Sequence, residues 1–321
     1  MKNKKLLIIL LELLFLLATF VLIILFIYNY NNEPNTSINK QINEDNIEKI
    51  DLFVVGGVDS FVIEEKEYEI VSQVSMEENT NSIPVLAYHD FMIKEDKELY
   101  APDPRGKYTM YIEDFEQQLK YLYDNGYRTI NYKTLNKWLN GEIYLDNKNF
   151  IITIDDANVS SYYLAMPIIE KYDFDAIIFV IVGRTELVSN EYDASNPSFI
   201  GEDLIHDIKT NHKSIELGSH STYLHSTIDG LNPKDALTFE QIRDDLLYSK
   251  NFLETDIFAY PFGMYNDKYL QAVNDAGFLL AFTFNPSGRV KIGTDRYQVP
   301  RININSQVNF EEFKKLVETE W

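Results

Sequence analysis

Phe150-Ile151-Ile152-Thr153-Ile154-Asp155-Asp156 decides the reading of this chain. Five residues with strong strand preference run without a break into two adjacent carboxylates. A short continuous apolar run fits a strand buried on both faces, as in a parallel sheet. Two like charges side by side at its end are costly. They raise one pKa, or they recruit a cation.

The neighbouring segments repeat the pattern. Residues 159–172 read as a helix that Pro167 must kink or break. Residues 176–182 are another continuous apolar, β-branched run. Further strands are expected at 83–88, 127–130, 215–217, 257–260, 279–284 and 299–304. Helices are expected at 112–123, 134–140, 202–210, 239–253, 268–276 and 310–320. Strands alternating with helices at this spacing predict an α/β fold with a parallel sheet. The residues alone leave open a barrel or a doubly wound sheet. In both, functional groups gather at the C-terminal ends of the strands.

The residues at those ends are informative. The strand at 83–88 runs into His89-Asp90. The strand at 215–217 runs into Gly218-Ser219-His220-Ser221-Thr222-Tyr223-Leu224-His225. The strand at 257–260 runs into Pro261-Phe262-Gly263. One carboxylate with two histidines five residues apart is a reasonable three-ligand set. It leaves a coordination position open for water, as catalytic sites do.

Composition narrows the chemistry. The 321 residues carry 29 Lys+Arg against 50 Asp+Glu, a formal charge of −21, which is the wrong sign for non-specific nucleic-acid binding. With no cysteine, thiolate metal sites, disulfides and a cysteine nucleophile are excluded. Any metal must be held by carboxylates and the five histidines. Of these, His206 and His212 lie among charges on or after a predicted helix and are expected to face solvent. Packing roles are expected for Trp138 and Trp321.

The N-terminus has a different character. Lys2, Lys4 and Lys5 precede an apolar run over 6–28, interrupted only by Glu12. It is long enough to cross a hydrocarbon core of roughly 30 Å and lacks a small-residue cleavage site after it. Residues 1–28 therefore read as a cytoplasmic tip and an uncleaved, single-pass transmembrane signal anchor. The basic residues before the span place the rest of the chain outside the cytoplasm. Residues 29–81 read as an acidic linker or stalk with room for a small hairpin, and 82–321 as the catalytic domain.

Thr153-Ile154-Asp155-Asp156, His220-Ser221-Thr222-Tyr223-Leu224-His225 and Tyr260-Pro261-Phe262-Gly263 resemble the first three motifs of the polysaccharide deacetylases, carbohydrate esterase family 4. The likeness runs from about residue 83 to 304, in the family's order. It is most similar to the poly-N-acetylglucosamine deacetylase branch, which carries a Tyr-His motif on an early strand, as Tyr88-His89 does here. The resemblance implies a distorted (β/α) barrel that removes N-acetyl groups from an amino-sugar polymer with a divalent metal. Zinc is the first candidate, with cobalt, nickel or manganese also compatible. It implies Asp156, His220 and His225 as metal ligands, Asp155 as general base and His89 as general acid. The turn at Tyr260–Gly263, through Phe262, is expected to donate to the oxyanion. Tyr223, Leu224 and Phe262 are expected to line an apolar pocket for the acetyl methyl.

Two positions depart from the family pattern. Ala157 stands where the family has Gly, and Ala259 where many members carry an Arg that orients the base. Arg301 is the candidate replacement for that Arg. The expected partner is an N-acetylated polysaccharide at a cell surface, with peptidoglycan the other candidate polymer. An O-acetyl esterase of the same fold and a non-catalytic glycan binder are the alternatives.

Overall fold

The computed structural model describes residues 79–96, 108–185 and 190–319. The expected membrane span, the acidic segment up to residue 78, and Trp321 lie outside them. Among the described residues no helix is long and apolar enough to cross a membrane.

The strands, in chain order, are β1 (Ser82–Ile83), β2 (Val85–Tyr88), β3 (Asp90–Met92), β4 (Thr109–Tyr111), β5 (Arg128–Thr129), β6 (Asn149–Ile154), β7 (Ala176–Val180), β8 (Ile215–Ser219), β9 (Ile257–Ala259), β10 (Leu280–Thr283), β11 (Val290–Lys291), β12 (Val299–Pro300) and β13 (Ile302–Asn303). The pairings run β2–β6–β7–β8–β9–β10–β12, all parallel. β12 and β13 are one strand interrupted at Arg301. Its first half pairs with β10 and its second half with β2, so the pairings return to their start. The result is a near-closed parallel barrel with helices outside it, which settles the choice against an open sheet. The seam between β8 and β9 is thin, with the single register pair Ser219↔Phe258.

Strand alternation builds two cores. Val85, Ile151, Ile177, Phe179, Ile257, Ala259, Phe282 and Val299 share one cluster, closed off by Leu135, Leu145 and Trp138. The residues between them, such as Leu86, Ile152, Ile154, Ile178 and Leu217, face the outer helices and meet Phe115, Leu119, Ile169 and Ile208. Gly218 makes the inner packing feasible, since a Cβ there would lie 2.4 Å from the Phe179 ring. The Trp138 indole is fully buried and donates to Asn79 Oδ1 at 3.1 Å, a packing role.

Proline accounts for one departure from expectation and one expected irregularity. Pro84 separates β1 from β2, where one strand was expected. Helical structure runs from residue 159 to 171, and at Pro167 its α-helical part Met166–Lys171 is preceded by a π-helical turn over Ser161–Ala165, the local irregularity expected where proline removes a donor. Helix Phe239–Leu253 has the expected bounds. Thr238 and Gln241 form a capping box at its start.

Candidate active site

Three strand ends bring the chemistry together. After β6 the Asp155 amide still donates to the Tyr88 carbonyl of β2 at 2.9 Å, and the chain then turns sharply. Asp156 (φ 69°) and Ala157 (φ 54°) both lie in the left-handed region. After β8 the His220 amide donates to Val180 at 2.9 Å, and Ser221 turns at φ 72°. After β9 the turn at 261–263 places Phe262 at φ 60°. Non-Gly residues rarely adopt such angles, and they persist where the surroundings over-determine them, often at functional sites. Ala157 thus takes the backbone angle that the family's Gly would serve. Its buried carbonyl accepts from Ile200 at 2.9 Å, and Asp156 stays in the site. Ala157→Gly is expected to keep the site and to raise stability by up to about 1 kcal/mol, read by thermal melting. The relief of left-handed strain is partly offset by the entropy of glycine in the unfolded chain.

Asp156, His220 and His225 form the candidate metal centre. One ligand-type atom from each lies within 4.8 Å of the others. Asp156 Oδ1 is 3.3 Å from His225 Nε2 and 3.7 Å from His220 Nε2. His220 Nδ1 donates to the Ala259 carbonyl at 2.7 Å, which fixes the tautomer and leaves the Nε2 lone pair free. Burial pushes His220 down to about 3 and also lowers His225, so both rings are neutral at pH 7. Burial also pushes Asp156 up to about 6, and its buried Oδ1 has no hydrogen-bond partner. An orphaned carboxylate oxygen faced by two neutral imidazole nitrogens fits a divalent cation with nitrogen and oxygen ligands.

The same geometry predicts a stability trade. The folded pKa of Asp156 lies above its ordinary value. Its stabilising contribution is therefore complete below about pH 4 and lost as pH rises through about 6. Without metal, Asp156→Asn is expected to stabilise the protein by about 2 kcal/mol at pH 8 and by almost nothing at pH 4. Asn also tolerates the left-handed angle well. Urea melts at the two pH values, with chelator present, read this directly.

Asp155 is 1% exposed and stands beside the triad, with Oδ2 4.0 Å from His220 Nε2. Arg301, fully buried, grips it with two bonds, Nη1 to Oδ1 at 2.7 Å and Nη2 to Oδ2 at 2.8 Å. Arg301 Nη1 also donates to Thr153 Oγ1 at 3.2 Å, and its guanidinium lies 4.3 Å from the Phe284 ring centroid. Burial alone would raise the Asp155 pKa. The charge and hydrogen bonds of Arg301, with smaller contributions from His220 and His89, outweigh it and hold the carboxyl well below the usual range. His89 Nε2 lies 3.8 Å from Asp155 Oδ2, and burial lowers its pKa.

His89, Asp155, Asp156, His220 and His225 line a cleft of about 520 Å³, together with Asp90, Tyr108, Asn158, Phe199, Phe262, Phe284, Ser287 and Asn303. Phe262 is half exposed and packs on His225, with ring centroids 4.5 Å apart. Three residues expected to line the substrate pocket lie outside the cleft lining. Tyr260 is fully buried among Phe258, Tyr265 and Tyr269, because strand alternation turns it away from the barrel interior that Ala259 faces. Leu224 is buried in that same outer cluster. Tyr223 is exposed with its ring over Gly183, outside the cleft lining. His212 is not simply solvated either: its ring nitrogens approach Glu170 at 2.6 Å and Asp207 at 3.1 Å. Sequence reasoning missed Asp245 and Arg184. Asp245 accepts from the Thr222 and Tyr223 amides, and Arg184 donates to the His225 carbonyl at 3.2 Å. Neither belongs to a motif, and nothing in the sequence marked them.

A parallel barrel with two carboxylates and two histidines at its strand ends, and a buried arginine behind one carboxylate, defines a hydrolase-type centre. Residues 143–281 match the polysaccharide deacetylase family model. The chain is 26% identical over 258 residues to YxkH of Bacillus subtilis, a protein named for the same family, covering 80% of this chain and 83% of that one. It is 26% identical over 213 residues to the poly-beta-1,6-N-acetyl-D-glucosamine N-deacetylase of Staphylococcus aureus, covering 62% and 68%. Among solved structures, the Streptococcus pyogenes deacetylase PplD in complex with acetate superposes with a TM-score of 0.62 at 23% identity, covering 74% of this chain and 99% of that one. IcaB from Ammonifex degensii gives 0.61 at 23%, covering 75% and 99%. At that identity both show the fold. The matched segment is a polysaccharide deacetylase domain, and the Staphylococcus aureus relative that shares it is named for hydrolysis of N-acetyl amide bonds.

Proposed function

We propose that this protein is a metal-dependent polysaccharide N-deacetylase whose substrate is poly-N-acetylglucosamine or peptidoglycan. The observation that carries the reading is the division of labour between the two adjacent carboxylates. Asp156 faces His220 and His225, while Asp155 is locked by Arg301 beside them. The named activity of the Staphylococcus aureus relative supports the choice of an N-acetylglucosamine polymer.

Asp156, His220 and His225 would hold the metal, with zinc best suited to one carboxylate and two imidazoles. Bound there, zinc would lower the pKa of a water and polarise the amide carbonyl. Asp155, kept ionised by Arg301, takes a proton from the attacking water. His89, on the neighbouring strand end with Nε2 3.8 Å from Asp155 Oδ2, takes up the proton that Asp155 received from water and gives a proton to the leaving nitrogen, which restores both groups. Of the amides in the 260–263 turn, that of Tyr260 donates to Phe282 and that of Gly263 to Tyr260, while Pro261 has none. Phe262 N–H is the remaining donor for the developing oxyanion. The exposed face of Phe262 and the Tyr108 ring beside His89 give the sugar apolar surface.

The apolar run at 6–28 with its basic flank supports a single-pass anchor that holds this domain outside the cell membrane. Acetate release from N-acetylglucosamine oligomers, compared with acetylated xylan, tests the reaction class. Release from the oligomers alone is expected. Release from xylan alone would make the protein an O-acetyl esterase, and binding of oligomers without release would make it a glycan-binding protein.

A further inference from the structure

The loop that carries both histidines has sheet support on one side only, where the Val182 and Gly183 amides donate to the Ser221 and Thr222 carbonyls at 3.0 and 3.1 Å. On the other side β8 pairs with β9 only through Ser219↔Phe258. There helix Phe239–Leu253 supplies the hold. One oxygen of the Asp245 carboxylate accepts the Thr222 amide at 2.8 Å, and the other accepts the Tyr223 amide at 2.8 Å. The Asp245 backbone carbonyl accepts Thr222 Oγ1 at 3.0 Å. One helical turn on, Ser249 Oγ meets Ser219 Oγ at 2.7 Å, and Ser219 Oγ accepts the Ser221 amide at 3.1 Å. The two residues that Asp245 grips lie between the two histidines.

We propose that Asp245 is a positioning residue for metal ligation: by fixing the Thr222 and Tyr223 amides it sets the spacing of His220 and His225 and so the affinity of the triad for a divalent cation. This rests on the metal-dependent reading above. The chemistry requires a carboxylate. Two consecutive amides converge on two acceptor oxygens, and a carboxamide offers only one, turning its NH₂ toward the other amide. His220 has a second tether in its bond to Ala259. His225 has no such bond on its ring: it is held by the loop, by the Arg184 bond to its carbonyl and by packing on Phe262. A shift of the loop therefore moves His225 relative to Asp156. Groups that orient metal ligands from behind typically account for about 10–100-fold in affinity or activity.

The test is zinc affinity of the purified full-length protein, measured by competition with a chromogenic chelator and paired with thermal melts of the metal-free forms. Asp245→Asn is expected to weaken zinc binding about tenfold or more, with acetate release restored by saturating zinc. Ser249→Ala loses the Ser219 contact but keeps both loop amides held, and is expected to stay within about twofold of wild type. Should Asp245→Asn fail to fold, Asp245→Glu carries the same readout, because its acceptors are displaced by one methylene. Wild-type affinity in a folded Asp245 variant overturns the proposal. Wild-type protein that binds no zinc overturns the metal-dependent reading itself, so the two failures are distinguishable.

Discussion

Asp155→Asn is expected to leave zinc binding intact and to lower acetate release by about 10²–10⁴-fold, the usual contribution of a positioned general base. The substitution conserves shape, and Asp155 is not one of the three converging ligands. The carboxamide cannot take a proton from water. It also faces Arg301, whose guanidinium loses its counter-ion in a fully buried position. A drop in stability should therefore accompany the drop in rate, because an uncompensated buried charge is costly. Metal content, melting temperature and acetate release measured on one preparation separate the two effects. A variant with wild-type turnover would remove Asp155 from the mechanism.

Arg301→Met is the second large effect. It leaves Asp155 buried without its partner, and breaking a buried pair typically costs about 3–5 kcal/mol. The sign with pH follows from the direction of the Asp155 shift. Its folded pKa lies below the ordinary value, so the stability it contributes is present above about pH 4 and lost as pH falls through the folded pKa. The gap between wild type and Arg301→Met should be widest near neutral pH and smaller at pH 4, because the buried, unpaired Asp155 of the variant is protonated there while that of wild type stays ionised. The acid limb of the pH–activity profile should also move to higher pH, because burial then pushes Asp155 up unopposed. Arg301→Lys is expected to restore only part of both, since an ammonium cannot match the two parallel bonds. Urea melts at pH 4 and pH 7, with pH–rate profiles, check this. A gap of equal size at both pH values would contradict it.

Residues in short local motifs at strand ends were legible in the sequence. Asp155, Asp156, His220 and His225 lie in two such motifs, and strand–helix alternation alone placed those motifs on one rim. Arg301 was legible only as a candidate, because 146 positions separate it from Asp155 and only the closing strand brings them together. The barrel itself was ambiguous for a related reason. Closure depends on a strand interrupted at Arg301 that pairs on both sides, and no local pattern records that. Side-chain direction was the main source of error. Tyr260 and Leu224 neighbour functional residues in sequence, but they point into the outer core. Proximity to a motif says nothing of which face a residue takes, whereas the period of two along β9 does. Asp245 looked like one more acid on an amphipathic helix beside Asp244. Its role comes from which loop the helix packs beneath.

The most direct test of the central claim is a metal-reconstitution assay on the full-length protein with N-acetylglucosamine oligomers. Stripped protein should release no acetate, one zinc per chain should restore release, and His220→Ala should neither bind that zinc nor regain activity. Acetate release that persists in stripped protein, or in His220→Ala, would contradict the account.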